Sequence, residues 1–176
     1  MRLAIRAAIV AFGGLMLSSC IDSSAPILSG AAPVFGQQAR FQFYTLRDGI
    51  ARDPQTATYR WNGALYTRTG GGPRDIDGFS AHQFEGGAFI IQTVSARRPR
   101  ITEYALAQKL VDAVYLVTPI DEADADEATR SEYCSKLAGS ACHIEKRDQL
   151  FAFARATAAK SHDHGALALK LSDWGR

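Results

Sequence analysis

His162, Asp163 and His164 come closest to a metal-binding pattern in this chain. Two imidazoles two apart lie on one side of an extended segment, and zinc or copper accepts such a pair. No third ligand stands nearby, and Asp, His and Gly are ordinary between a helix and a strand, so a solvated turn is the reading, with His162 and His164 kept as candidate ligands. Asp121, Glu122, Asp124, Asp126 and Glu127 offer the oxygens that calcium prefers, but the glycine and the distal glutamate of an EF-hand loop are missing. Acids gathered at a helix N-terminus explain the cluster. Arg97, Arg98 and Arg100 surround Pro99 in a compact basic loop, a charged turn with anionic lipid or an acidic partner as the alternative. His82, inside an alternating run, reads as a partly buried, hydrogen-bonded side chain. Gly-x-Ser-x-Gly, Ser-x-x-Lys, His-Glu-x-x-His and a phosphate loop are all absent from the sequence. No catalytic residue is assigned, and no cofactor is expected.

The elements that must position these residues are mostly strands. Phe41, Phe43 and Thr45 alternate with Arg40, Gln42 and Tyr44. Asn62-Gly63, flanked by Ala57 to Trp61 and Ala64 to Thr69, predicts a type I′ hairpin with Trp61 opposite Ala64 and Tyr59 opposite Tyr66. Gly70-Gly71-Gly72-Pro73 must be a loop. A second hairpin joins Phe79 to Phe84 with Ala88 to Val94 through Glu85-Gly86-Gly87. Residues 102 to 118 fit two strands turning near Lys109 to Asp112, with Pro119 ending the element, although Leu106, Leu110, Ala113, Val114 and Val117 would also line a helix. Asp124 to Leu137 reads as a short helix and Asp148 to Lys160 as a better one; Leu167, Leu169 and Leu171 form a last strand. The fold class is α+β and mainly β, an antiparallel sheet or partly closed barrel with a C-terminal helix.

The N-terminus carries an address. Arg2 and Arg6 precede an apolar run, Ala7 to Leu17, too short for a bilayer that needs about 20 apolar residues. Leu17-Ser18-Ser19-Cys20 resembles the lipobox of bacterial lipoproteins. The resemblance implies cleavage after residue 19, a thioether-linked diacylglycerol on Cys20 and acylation of the new amine, palmitate being the usual label. Ile21 is not the aspartate that retains lipoproteins at the inner membrane in enteric bacteria, which implies the outer membrane facing the periplasm, although Asp22 follows. Residues 1–19 are then a signal peptide, 20–38 a lipidated, Ser/Ala/Gly/Pro-rich tether, and 39–176 one globular β-rich domain. Lipidation uses one of the three cysteines and leaves Cys134 and Cys142, which read as a disulfide pair, with a metal thiolate site beside His143 or a redox pair as alternatives that the lack of a Cys-x-x-Cys disfavours. The outline is similar to small uncharacterised lipoproteins of proteobacteria.

Loss of Arg2 and Arg6 with the signal reduces the 20 basic residues to match the 18 acids, so the mature chain is formally neutral. A nucleic-acid partner is not expected from such a charge. The leading reading is a lipid-anchored periplasmic module that binds an envelope protein or serves structure without catalysis. The alternative is a carrier of a small apolar ligand or lipid, because Phe41, Phe43, Tyr59, Trp61, Tyr66, Phe79 and Phe89 could line a cavity as well as a core. A hydrolase without a recognisable motif is the second alternative.

Diacylglyceryl transfer needs the thiol, and signal cleavage follows the transfer. Cys20→Ala should therefore accumulate as unlabelled precursor, while the wild type incorporates a palmitate analogue and resists washing from membranes. Mass spectrometry of the mature N-terminus checks this, and a wild-type chain that is unlabelled and starts elsewhere than Cys20 contradicts it.

Overall fold

Apolar and polar residues alternate through most of the described chain, which comprises residues 21–71, 76–94, 102–135, 142–158 and 164–171 of a computed structural model. A two-residue strand, β1 (Asp22–Ser23), is followed by a long meander of strands, each antiparallel to the next. The meander comprises β2 (Gln38–Arg47), β3 (Ile50–Trp61), β4 (Tyr66–Gly71), β5 (Gly78–Gln83), β6 (Phe89–Val94), β7 (Thr102–Val111) and β8 (Val114–Pro119). Helices α1 (Glu127–Tyr133) and α2 (Arg147–Thr157) intervene before β9 (His164–Leu171), which inserts between β8 and β2. That insertion closes an eight-stranded antiparallel barrel. β1 lies outside the ring, pairing with β7 at Asp22↔Glu103 and Ser23↔Thr102 beyond the end of β8.

Two apolar clusters follow from this wall. Inward positions of β2 to β9 carry Ala39, Phe41, Ala57, Tyr59, Tyr66, Phe79, Ala81 and Ala168, with Phe35 among them. Outward positions of β6 and β7, Ile90, Tyr104 and Leu106, meet Leu150, Phe153 and Ala154 of α2, together with Ile21, Leu28, Cys142 and Ile144. The C-terminal helix thus covers one side of the barrel.

Several expectations hold, among them the mainly β class, the Phe79–Val94 hairpin with its Glu85–Gly87 turn, the 102–118 strand pair and the Cys134–Cys142 disulfide. Others are corrected. The segment from Ile21, expected as a tether, is packed: Ile21, Ser23, Leu28 and Phe35 are all buried. Asn62-Gly63 does not form a two-residue turn. Asn62 Oδ1 accepts from Ala64 and Leu65 N–H, both at 3.0 Å, and the loop widens to residues 62–65, so Trp61 pairs with Tyr66 and Tyr59 with Arg68. The tight turn is instead at Asp48-Gly49, where φ is +52° and +70° and Arg47 pairs with Ile50. Gly70 and Gly71 belong to β4, while 72 and 73 fall outside the described residues.

The first helix is shorter than the expected Asp124 to Leu137. Asp121 caps a 3-10 turn and Asp126 caps α1 by accepting from Thr129 N–H at 2.8 Å, which fixes the start at Glu127. Cys134 ends it, bonded to Cys142, and Ser135 N–H donates to the His143 carbonyl at 2.9 Å.

The disulfide closes a loop of sequence separation 8. By the loop-entropy relation its removal in a Cys134→Ser/Cys142→Ser double variant should cost about 2.5 kcal/mol. Urea unfolding of the two chains measures this, and equal midpoints would show that the bridge constrains nothing the fold needs.

Candidate functional site

The barrel interior divides into two ends of different chemistry. One end is closed from within by Phe35. Its ring meets Phe41 of β2 edge-on at 5.2 Å and Tyr115 of β8 at 5.4 Å, with Phe79 of β5, Phe89 of β6 and Tyr66 of β4 within 6.2 Å. Rings from five strands around the wall converge on one side chain, so Phe35 lies on the axis. Tyr66 holds its backbone, accepting from Phe35 N–H at 2.8 Å and donating to the Gly36 carbonyl at 2.9 Å.

At the other end, the mouth, register and alternation turn Thr45, Arg47, Arg68, Asp77, Thr93, Glu103, Ala105 and Ala166 inward. These positions are charged, hydroxylated or small where the opposite end is aromatic. Arg68 Nη2 donates to Asp77 Oδ1 at 3.0 Å, half-buried, across the shortest seam of the barrel. That seam, β4 with β5, has the register pairs Tyr66↔Phe79 and Thr67↔Gly78, extended by Arg68 N–H to the Asp77 carbonyl at 2.8 Å. Tyr59 sits beneath the ion pair, 1% exposed. Burial pushes its phenol up to about 12, with Arg68 pulling down and Asp77 pushing up.

A third constellation lies outside the barrel, under the N-terminal segment. Ser80 Oγ and His82 Nε2 are 2.8 Å apart, and Gln92 Nε2 donates to Ser80 Oγ at 3.2 Å. Gln92 Oε1 accepts from Leu28 N–H at 3.1 Å, and the imidazole also bonds the Ser29 backbone. All three side chains are buried. A serine beside a histidine has the elements of a nucleophile and its base, but here the third member is an amide and no face of the pair is open. The network instead fastens residues 28 and 29 to the wall, as expected for His82. A second fastening joins Ser23 to Tyr104 (Oγ···Oη 2.6 Å), and a third joins Asp22 Oδ1 to His143 Nδ1 at 2.7 Å. The Nε2 of His143 is buried without a hydrogen-bond partner.

Of the residues singled out in the sequence, Cys20, Arg97, Arg98, Arg100 and His162 lie outside the described residues. His164 opens β9 opposite Arg47. Asp121 and Asp126 act as helix caps. Among the described residues no group of three or more His, Cys, Asp or Glu side chains could hold a metal ion. The aromatics named as core or cavity lining do converge in the barrel. Sequence reasoning missed Phe35, Arg68 and Asp77. Phe35 is the one aromatic in a Ser/Ala/Gly/Pro-rich stretch, a signal that could have marked it as an anchor.

Burial holds the His82 pKa below its ordinary value, Arg147 pushing the same way against the Ser29 bond. The folded state therefore favours neutral imidazole. Stability from this site is present above about pH 6.5, the unfolded value, and is lost as pH falls toward the lowered folded value. Thermal melts from pH 7.5 to 5 should show a decline that His82→Gln flattens; parallel profiles for the two chains would remove His82 as its cause. Comparison with known protein families, with characterised proteins and with solved structures finds no match to this chain.

Proposed function

We propose that this barrel is a binding module of the cell envelope, held by lipid on Cys20, that takes a small amphipathic ligand through its charged mouth. The observation carrying the reading is the division of the interior. Phe35 and its ring cage fill one end, while the inward positions toward the other are small (Ala105, Ala166), polar (Thr45, Thr93) or aliphatic (Ile91, Val117) below the Arg68–Asp77 pair. An eight-stranded barrel encloses space that side chains either fill or leave to one small ligand. Here the filling is aromatic at one end only. The ligand's apolar part packs on Tyr59 and the alanines, and its polar end meets Arg68 and Asp77.

Binding to an envelope protein is the second reading, and the outer wall favours it. Leu116 of β8 pairs with Leu167 of β9, Val114 with Leu169, and Leu110 and Val111 at the β7–β8 turn are more than half exposed. Among the described residues, the helix side chains of the outer cluster pack with β6 and β7 and not with these β8 and β9 positions.

Native mass spectrometry of the chain extracted from membranes tests the first reading. A bound small molecule should accompany the wild type and be lost from Ala166→Phe, whose added ring fills the mouth, with little change in melting temperature. A wild type that carries nothing and takes up no member of a fatty-acid and phospholipid panel refutes ligand carriage.

A further inference from the structure

The contacts that hold Phe35 are made by groups that any peptide containing phenylalanine presents. Its ring enters a cage of five rings, its own N–H donates to Tyr66 Oη, and the next carbonyl accepts from the same hydroxyl. One residue further, the Gln37 carbonyl accepts Trp61 N–H at 2.9 Å, so three consecutive residues are read through one ring and three backbone groups. We propose that the cage is a peptide-binding site whose occupant here is the chain's own residues 33–37, folded as a turn in which Gly36 N–H donates to the Pro33 carbonyl at 2.8 Å, and that it accepts in trans a peptide that presents phenylalanine followed by glycine in such a turn.

The requirement for glycine comes from the backbone. Gly36 has φ +88°, a left-handed conformation that a β-branched residue does not tolerate. The exchange is local. Between the Ser29 fastening and the start of β2, the residues Gly30, Ala32, Val34, Gly36 and Gln37 are exposed, and Phe35 is the one fully buried side chain. Lifting this stretch exposes one ring and leaves β1 and β2 in their ladders, the kind of sub-global opening that occurs far below the cost of unfolding. Recognition by a buried aromatic anchor together with main-chain hydrogen bonds is a general mode of peptide capture. The cage stands at the opposite end of the barrel from the mouth, so this inference does not depend on the ligand proposed there.

The test uses the full chain with Phe35→Ala, which empties the cage, and a synthetic peptide of residues 27–38. Trp61, 5.1 Å from Tyr66, reports occupancy by fluorescence. Saturable binding and a recovered melting temperature are expected, with affinity weakened about tenfold or more when the peptide carries alanine for Phe35 or valine for Gly36. Absence of binding to a variant that keeps its β circular dichroism overturns the proposal, as does equal binding of the alanine peptide. Should Phe35→Ala not fold, hydrogen exchange of the wild type decides. Excess peptide should speed exchange at residues 30–37 while β2 to β9 stay protected, and unchanged exchange at 30–37 overturns the proposal.

Discussion

Everything in this fold depends on how the space inside an eight-stranded ring is filled. The wall alternates, so each strand contributes an inward side chain at every second position, and these must meet near the axis or leave a void with no partner atoms. Ala39, Ala57, Ala81 and Ala168 are too small to reach the axis. Phe35, arriving from outside the ring, supplies the missing volume where Phe41, Phe79, Phe89 and Tyr115 converge. The outward route of residues 21–34 follows from that insertion, because the segment must cross the β6–β7 face before it can turn in. Ser23, Leu28 and Ser29 find hydrogen-bond partners on the way.

The same segment couples the two sides of the wall. Gln92 and Tyr104 point outward from β6 and β7 to hold it, while Phe89 and Ile91 of β6 point inward to the ring cluster. A disturbance of the outer polar network therefore reaches the inner plug through a few residues of connecting chain. The opposite end is built differently. There the short β4–β5 seam relies on an ion pair, and half-exposed ion pairs contribute little by themselves. One end of the barrel is thus dry and ring-packed, while the other is polar and more easily opened.

Strand alternation at Phe41 and Phe43, the Glu85–Gly87 turn and the split of 102–118 were legible because each is a local pattern with a local cause. Asn62-Gly63 misled because the Asn62 side chain bonds two downstream amides, an option that turn propensity does not weigh. Asp48-Gly49 carried the same signal and formed the tight turn. Helix α1 was read too long because its end is set by a disulfide and by Ser135 bonding His143, both tertiary. Phe35 was hidden for a related reason: composition describes a stretch of chain, but a single ring in a flexible context becomes a core residue only once a cage exists to receive it. The inward Arg68 and Asp77 needed the register, which no local pattern contains.

Closure by β9 has a kinetic consequence. The strand that seals the ring is the last of the described strands, and it makes both remaining seams at once, β2–β9 and β8–β9. Until it arrives, β2 and β8 are bare edges with unpaired amides and carbonyls, the arrangement that templates wrong pairings between chains. The β2 contacts span nearly the whole length of the domain, so loop-closure entropy delays them. A chain threaded N-terminus first across a membrane would emerge with its plug and seven wall strands ahead of their seal. The open-edged intermediate would then persist for as long as the last stretch takes to follow.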